Sequence, residues 1–202
     1  MTIIVGITGG IGSGKTTLSS YLKKKGYCVH ESDKIVHEIY NKPKKNFINL
    51  IKKKTPPNSI KNGKINKKII TGIIFENKAF KKSIEKYIHK EVFESRKAFI
   101  KTNTKKNKKI IFADIPLLFE NNLEKDFDIV LSILSTKKKR TERVIKNKKF
   151  SKKTLYKIFS FQVTDKERRA KSDIIINNNK TKKDFIFATE KALMQILKWE
   201  KL

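Results

Sequence analysis

The stretch GITGGIGSGKTT, residues 6–17, constrains this chain more than any other. Four of the eight glycines fall between Gly9 and Gly14, after an apolar run and before a lysine. The run TIIVGIT, residues 2–8, is short and β-branched, which predicts a strand buried on both faces of a parallel sheet. KTTLSSYLKKKG follows, with Leu18, Tyr21 and Leu22 at helical spacing and Gly26 as a stop. The glycines therefore mark a strand-to-helix turn. They match G-x-x-x-x-G-K-[ST] as Gly9, Gly14, Lys15 and Thr16. Without Cβ atoms the backbone can curl until several N–H groups converge, backed by the helix N-terminus, and such a cradle holds phosphate oxygens. Gly10, Ile11, Gly12, Ser13, Gly14, Lys15, Thr16 and Thr17 form the expected cradle. Lys15 reaches the β- and γ-phosphates of a nucleoside triphosphate, and the Thr16 hydroxyl can ligate Mg²⁺. A dinucleotide fingerprint fails, because from Gly10-x-Gly12 the next required glycine falls on Lys15.

Further strands are expected at YCVHES (27–32), KKIIFADI (108–115), DIVLSIL (128–134) and DIIINN (173–178). Helical patterns lie between them, and strands alternating with helices imply an α/β fold with a parallel sheet flanked by helices. Helices are expected at IVHEIY and KKNFINLIKKK, then a loop at TPPNSIKNGK. In the long segment that follows, Phe80, Ile84, Tyr87, Ile88, Val92, Ser95 and Phe99 form one stripe. A basic helical pair spans 137–162, broken near Lys149–Ser151. A final helix carries Phe187, Leu193, Ile196 and Leu197 as core candidates.

The formal charge of +30 invites a nucleic-acid reading. Only five of the 49 basic residues are arginines, and the 44 lysines are scattered through every segment. Lysine, isoleucine and asparagine all use A- and T-rich codons, so mutational drift is a sufficient cause. A dedicated surface would concentrate charge and use arginine forks or aromatic platforms. No specific nucleic-acid partner is expected. No apolar run is long enough for a membrane span, and the N-terminal run leads straight into the phosphate loop rather than a cleavage site. Cys28 is the sole cysteine, expected as a small buried strand residue in a reducing, cytoplasmic setting.

Ligands of parallel sheets sit at the carboxyl ends of the strands. Glu31 and Asp33 lie at one such end and Asp114 at another. One carboxylate there can orient an acceptor hydroxyl and another can hold Mg²⁺ through water. Asp33 has an alternative role as a helix cap, though its location favours function, and Asp114 reads equally as magnesium ligand or structural acid. His30 reads as packed, and His89 as packed or touching substrate.

Four segments resemble the dephospho-coenzyme A kinase family. They are TGGIGSGKTT, VHESDKIVHEI, DIPLLFE at 114–120, and FQVTDKERRAKSDIIINNN, which places Gln162, Arg168, Asp173 and Asn177. The resemblance implies a P-loop kinase core at about 1–55, 106–136 and 170–202, a helical substrate-binding insertion at about 56–105, and a helical lid at about 137–169. It implies ATP and Mg²⁺ as cofactors and dephospho-coenzyme A as substrate, in a cytoplasmic monomer or weak homo-oligomer. Lys15, Asp33 and Arg143 become the catalytic candidates, Arg168 an added nucleotide contact, and Thr16 and Asp114 the metal ligands. Several positions depart from the family pattern. Glu31 stands for the first Asp of D-A-D, and His37 for an arginine. In the lid pattern Q-x-x-R-x-x-x-R, the chain has Arg140, Arg143 and Asn147. Lys139, Lys146 or Lys148 then become substitutes for the missing lid cation.

Overall fold

The computed structural model describes residues 1–61, 63–147 and 150–199. The chain runs β1 (Ile3–Gly9), α1 (Lys15–Lys24), β2 (Cys28–Glu31), α2 (Ser32–Asn41) and α3 (Lys45–Lys52). It continues β3 (Ile60–Lys61), β4 (Lys64–Ile65), α4 (Lys67–Glu76), α5 (Lys78–Lys105), β5 (Ile110–Asp114) and β6 (Ile129–Leu134). It ends α6 (Lys137–Lys146), α7 (Lys152–Ser160), α8 (Asp165–Ala170), β7 (Ile174–Asn177) and α9 (Lys182–Trp199). Contacts divide it into two compact units, Met1–Glu31 with Ile100–Leu202, and Ser32–Phe99.

In the first unit the strands lie in the order β2-β5-β1-β6-β7, every neighbouring pair parallel. Val5 on the central strand pairs with Phe112 on one side and Ile129 on the other, and all three are buried. That two-sided burial is why β1 reads as a continuous apolar run rather than an alternating one. One core face joins Leu18 and Leu22 of α1 to Phe185, Leu193 and Ile196 of α9; the other gathers Leu118, Phe119 and Val130. From β1 the chain crosses to β2 on one side of the sheet, and from β6 it crosses to β7 on the other. The carboxyl ends of these neighbouring strands therefore flank a crevice, the usual ligand position in such sheets.

In the second unit, Phe47 and Ile51 of α3 pack with Ile70 of α4 and with Phe80 and Ile84 of α5. Of the expected α5 stripe, Phe80 and Ile84 are buried and Tyr87 and Ile88 pack against them, whereas Val92, Ser95 and Phe99 are half-buried. The helices of 32–55, expected with the core, group with this unit.

Several local expectations change. The loop at 55–64 contains a short 3₁₀ turn at Pro57–Ser59 and the antiparallel pair β3–β4. On α9, Phe187 is 61% exposed and Leu197 42% exposed, while Phe185 and Ala192 are buried with Leu193 and Ile196. This helix is apolar on more than one side, and spacing alone does not say which stripe meets the sheet. Cys28 is half-buried, because β2 is an edge strand. Of the expected lid break, Lys149 lies outside the described residues, as does the candidate cation Lys148. The lid segment carries a third helix, α8, opened by a capping box between Thr164 and Glu167.

Lys23 pairs with Glu31, and Lys25 lies 3.1 Å from Glu190, both at the surface. Exposed pairs contribute little. Changing Lys23–Lys25 to glutamines should leave turnover near that of the parent, measured as ADP release. A large loss would mean that this charge is selected.

Candidate active site

The loop between β1 and α1 has the backbone that its sequence requires. Gly14 holds φ at +117°, and a Cβ there would lie 2.4 Å from Asn178 Nδ2. Both facts exclude a side chain. The Ser13 N–H donates to the Gly10 carbonyl at 3.0 Å, closing the turn. Lys15 folds back over the loop, its Nζ donating to the Gly9 carbonyl at 2.6 Å. Thr16 and Thr17 are exposed in the first turn of α1, where helix N–H groups lack intrahelical partners. The buried hydroxyls of Thr8 and Ser13 have no partner among the described residues, which leaves polar capacity beside the loop. The Ile11 N–H is engaged by Gln162 Oε1 at 3.1 Å.

Arg143 of α6 ties this loop to the ends of β6 and β7. Its Nη2 donates to the Asn178 carbonyl at 2.9 Å and to Asn178 Oδ1 at 3.2 Å. Its Nη1 lies 3.2 Å from Ser135 Oγ, 3.3 Å from the Gly12 carbonyl and 3.4 Å from the Ser13 carbonyl. Asn178 Nδ2 in turn donates to the Ser13 carbonyl at 2.7 Å. The guanidinium therefore fixes loop geometry. It also lines a cavity of about 360 Å³ with Gly14, Thr17, Asn178, Lys180 and Lys182. Three cations around one concavity suit an anionic or electron-rich planar ligand.

Arg168 requires a correction. It is 0% exposed, with Nη2 on Glu120 Oε1 at 2.8 Å and Nη1 on the Val163 carbonyl at 3.0 Å. Glu120 also accepts from the Val163 N–H at 2.9 Å. A guanidinium so enclosed cannot reach a nucleotide, and its role is to anchor the start of α8. Glu120→Ala would leave that charge buried and unpaired. The expected cost is about 3 kcal/mol, read as a lower chemical-denaturation midpoint. Unchanged stability would show that the ion pair is not what holds α8.

Asp114 is 9% exposed, and its Oδ2 accepts from Ser19 Oγ of α1 at 2.9 Å. Its carboxylate thus faces α1 one turn beyond Thr16. In the sheet Asp114 is the register partner of Ile7 and of Glu31. In the second unit, Asp33 is exposed within the first turn of α2, which begins at Ser32. The capping alternative fails, since Asp33 lies inside the helix and accepts no backbone bond among the described residues. It lines a cavity of about 370 Å³ with Val36, His37, Tyr40, Lys67 and Thr71. Lys67 Nζ donates to Asn41 Oδ1 at 2.9 Å and lies 5.7 Å from the Tyr40 ring centre. Burial raises the Tyr40 hydroxyl above its ordinary pKa, so it stays a neutral donor. His30 is buried as expected, and His89 is exposed on α5.

The profile of the dephospho-CoA kinase family matches residues 3–184. The chain belongs to that family. A dephospho-CoA kinase of Fusobacterium nucleatum is 35% identical over 191 residues, covering 94% of this chain and 96% of that relative. Among solved structures, a dephospho-CoA kinase from Campylobacter jejuni superposes with a TM-score of 0.75 at 26% identity, covering 97% of this chain and 98% of that one. A shikimate kinase from Acinetobacter baumannii superposes at 0.52 and 18% identity, covering 98% and 94%, a likeness of fold alone.

Three further residues of the family-like segments hold structural positions. Glu120 closes the DIPLLFE segment and holds Arg168. Gln162 meets the phosphate loop. Asp173 Oδ2 accepts from the Val130 N–H at 2.7 Å and starts the β6–β7 ladder. Asn178, beside the expected Asn177, was missed. Its signal was the NNN run at the carboxyl end of β7, where a parallel sheet places ligand-facing residues.

Proposed function

We propose that this chain transfers the γ-phosphate of ATP to the ribose 3′-hydroxyl of dephospho-coenzyme A, giving coenzyme A and ADP. The observation that carries this reading is an intact phosphate loop within a family match spanning residues 3–184. The backbone of 10–17 cradles the phosphates and Lys15 neutralises charge on the β- and γ-groups. Mg²⁺ would be held by the Thr16 hydroxyl, with Asp114 acting through water, since Mg²⁺ retains several waters. When bound it would neutralise charge on the nucleotide's phosphates. Arg143 sets the loop's shape and borders the nucleotide cavity.

Asp33 orients the acceptor hydroxyl and takes its proton. It stands two residues beyond β2, and its cavity carries the polar wall of His37, Lys67 and Thr71. Lys67 adds a positive charge there that suits a substrate bearing phosphates. The transition state of phosphoryl transfer is loose, so positioning and charge compensation provide most of the acceleration. Functionally we divide the chain into the kinase core, the substrate-binding insertion and the lid at about 137–169.

No described helix is long and apolar enough to cross a membrane. The reading further assigns a cytoplasmic enzyme, monomeric or weakly self-associating, with no specific nucleic-acid partner. ADP release measured against a panel of hydroxyl acceptors tests it. Dephospho-coenzyme A should be preferred over nucleoside monophosphates and shikimate, and a reversed preference would refute the assignment.

A further inference from the structure

We infer that Asn178 is a positioning residue for the phosphate loop, whose carboxamide sets the direction of the Gly14 N–H. The inference rests on the kinase reading above and adds a residue to it. Asn178 stands one residue past β7 and is 8% exposed. Its backbone is anchored at both groups. The N–H donates to the Leu134 carbonyl at 2.8 Å, and the carbonyl accepts from Ser135 Oγ at 2.9 Å as well as from Arg143. From that anchor the carboxamide has one orientation that satisfies its partners. Oδ1 faces the Arg143 guanidinium, which only donates, and Nδ2 faces the Ser13 carbonyl, which only accepts.

The consequence lies in the peptide between Ser13 and Gly14. That bond is trans and planar, so its C=O and N–H point in opposite directions. Holding the Ser13 oxygen against Asn178 turns the Gly14 N–H to the other side. That N–H meets no acceptor among the described residues. It is a free donor of fixed direction in a loop suited to anions. A donor already aimed needs no reorganisation when the anion arrives. The fit runs both ways, for the amide occupies the space that a Gly14 side chain would need. The neighbouring asparagines do not share this task. Asn177 is exposed, and Asn179 Oδ1 accepts from the Thr136 N–H at 2.8 Å.

Phosphate binding without a base tests the inference. Tripolyphosphate with Mg²⁺ is made to displace a fluorescent ADP analogue, so that only anion at the nucleotide site counts on a chain of charge +30. Asn178→Ala should weaken tripolyphosphate about 10–10²-fold, and ATP by the same factor. In turnover the KM for dephospho-coenzyme A should stay near that of the parent. Asn179→Ala removes a comparable hydrogen bond from the same segment. It should lower the melting temperature without weakening tripolyphosphate.

Asn178 also borders the cavity of about 360 Å³. If ATP weakens and tripolyphosphate does not, Asn178 touches the nucleoside directly and the proposal fails. It fails too if Asn179→Ala weakens tripolyphosphate as much as Asn178→Ala, because lost stability then explains both. If Asn178→Ala does not fold, Asn178→Leu serves, having similar volume and no donor, and parent-like tripolyphosphate affinity in it would overturn the proposal. No acceptor enters the displacement measurement. A chain that leaves dephospho-coenzyme A unphosphorylated would therefore sink the proposed function and leave this result readable.

Discussion

Lys15→Ala should leave a folded protein whose turnover falls by about 10³-fold or more. Lys15 is the loop's only side-chain cation, and its Nζ already lies over the loop at the Gly9 carbonyl. Alanine removes a point charge from the β- and γ-phosphates that water cannot replace in position. The core should be untouched, because Lys15 is only half-buried and contributes no side chain to the packed face of α1. Steady-state kinetics beside a thermal melt separates the two effects. Near-normal activity in a folded variant would show that this loop does not hold the reacting phosphates.

Asp33→Asn should lower kcat by about 10²–10⁴-fold. Asparagine keeps the size and loses the charge and basicity. Because Asp33 lies inside the first turn of α2, the change also removes a favourable carboxylate from a helix N-terminus. That costs no more than ~1 kcal/mol. The KM for ATP should barely move, since the proposed reading gives Asp33 to the acceptor rather than to the nucleotide. Glu31→Gln should be milder, because Glu31 is engaged by Lys23 at the sheet edge. A variant that keeps its turnover would move the base elsewhere, with Asp114 the next candidate.

The sheet was legible because its signals are local. β1, β5 and β6 are buried on both faces, and an uninterrupted β-branched run has few other uses. The phosphate loop was legible because glycine, lysine and threonine at that spacing leave few alternatives. The lid was not. Arg140 and Arg168 differ by nothing in sequence that says which meets the loop and which is enclosed by Glu120. Their partners lie 25 and 48 positions away, at Asp165 and Glu120. The face of α9 was misread for a related reason, since Phe185 and Phe187 are equally apolar and only the sheet beneath chooses between them. Asn178 was missed because its neighbours Asn177 and Asn179 offer the same chemistry one position away.

The central claim is tested most directly by incubating the purified chain with ATP, Mg²⁺ and dephospho-coenzyme A, and identifying the product by mass and by phosphorus resonance. The account predicts stoichiometric ADP and coenzyme A carrying a new phosphomonoester on the ribose 3′-oxygen. ADP formed without that product, or efficient phosphorylation of a different acceptor with dephospho-coenzyme A left unchanged, would contradict it.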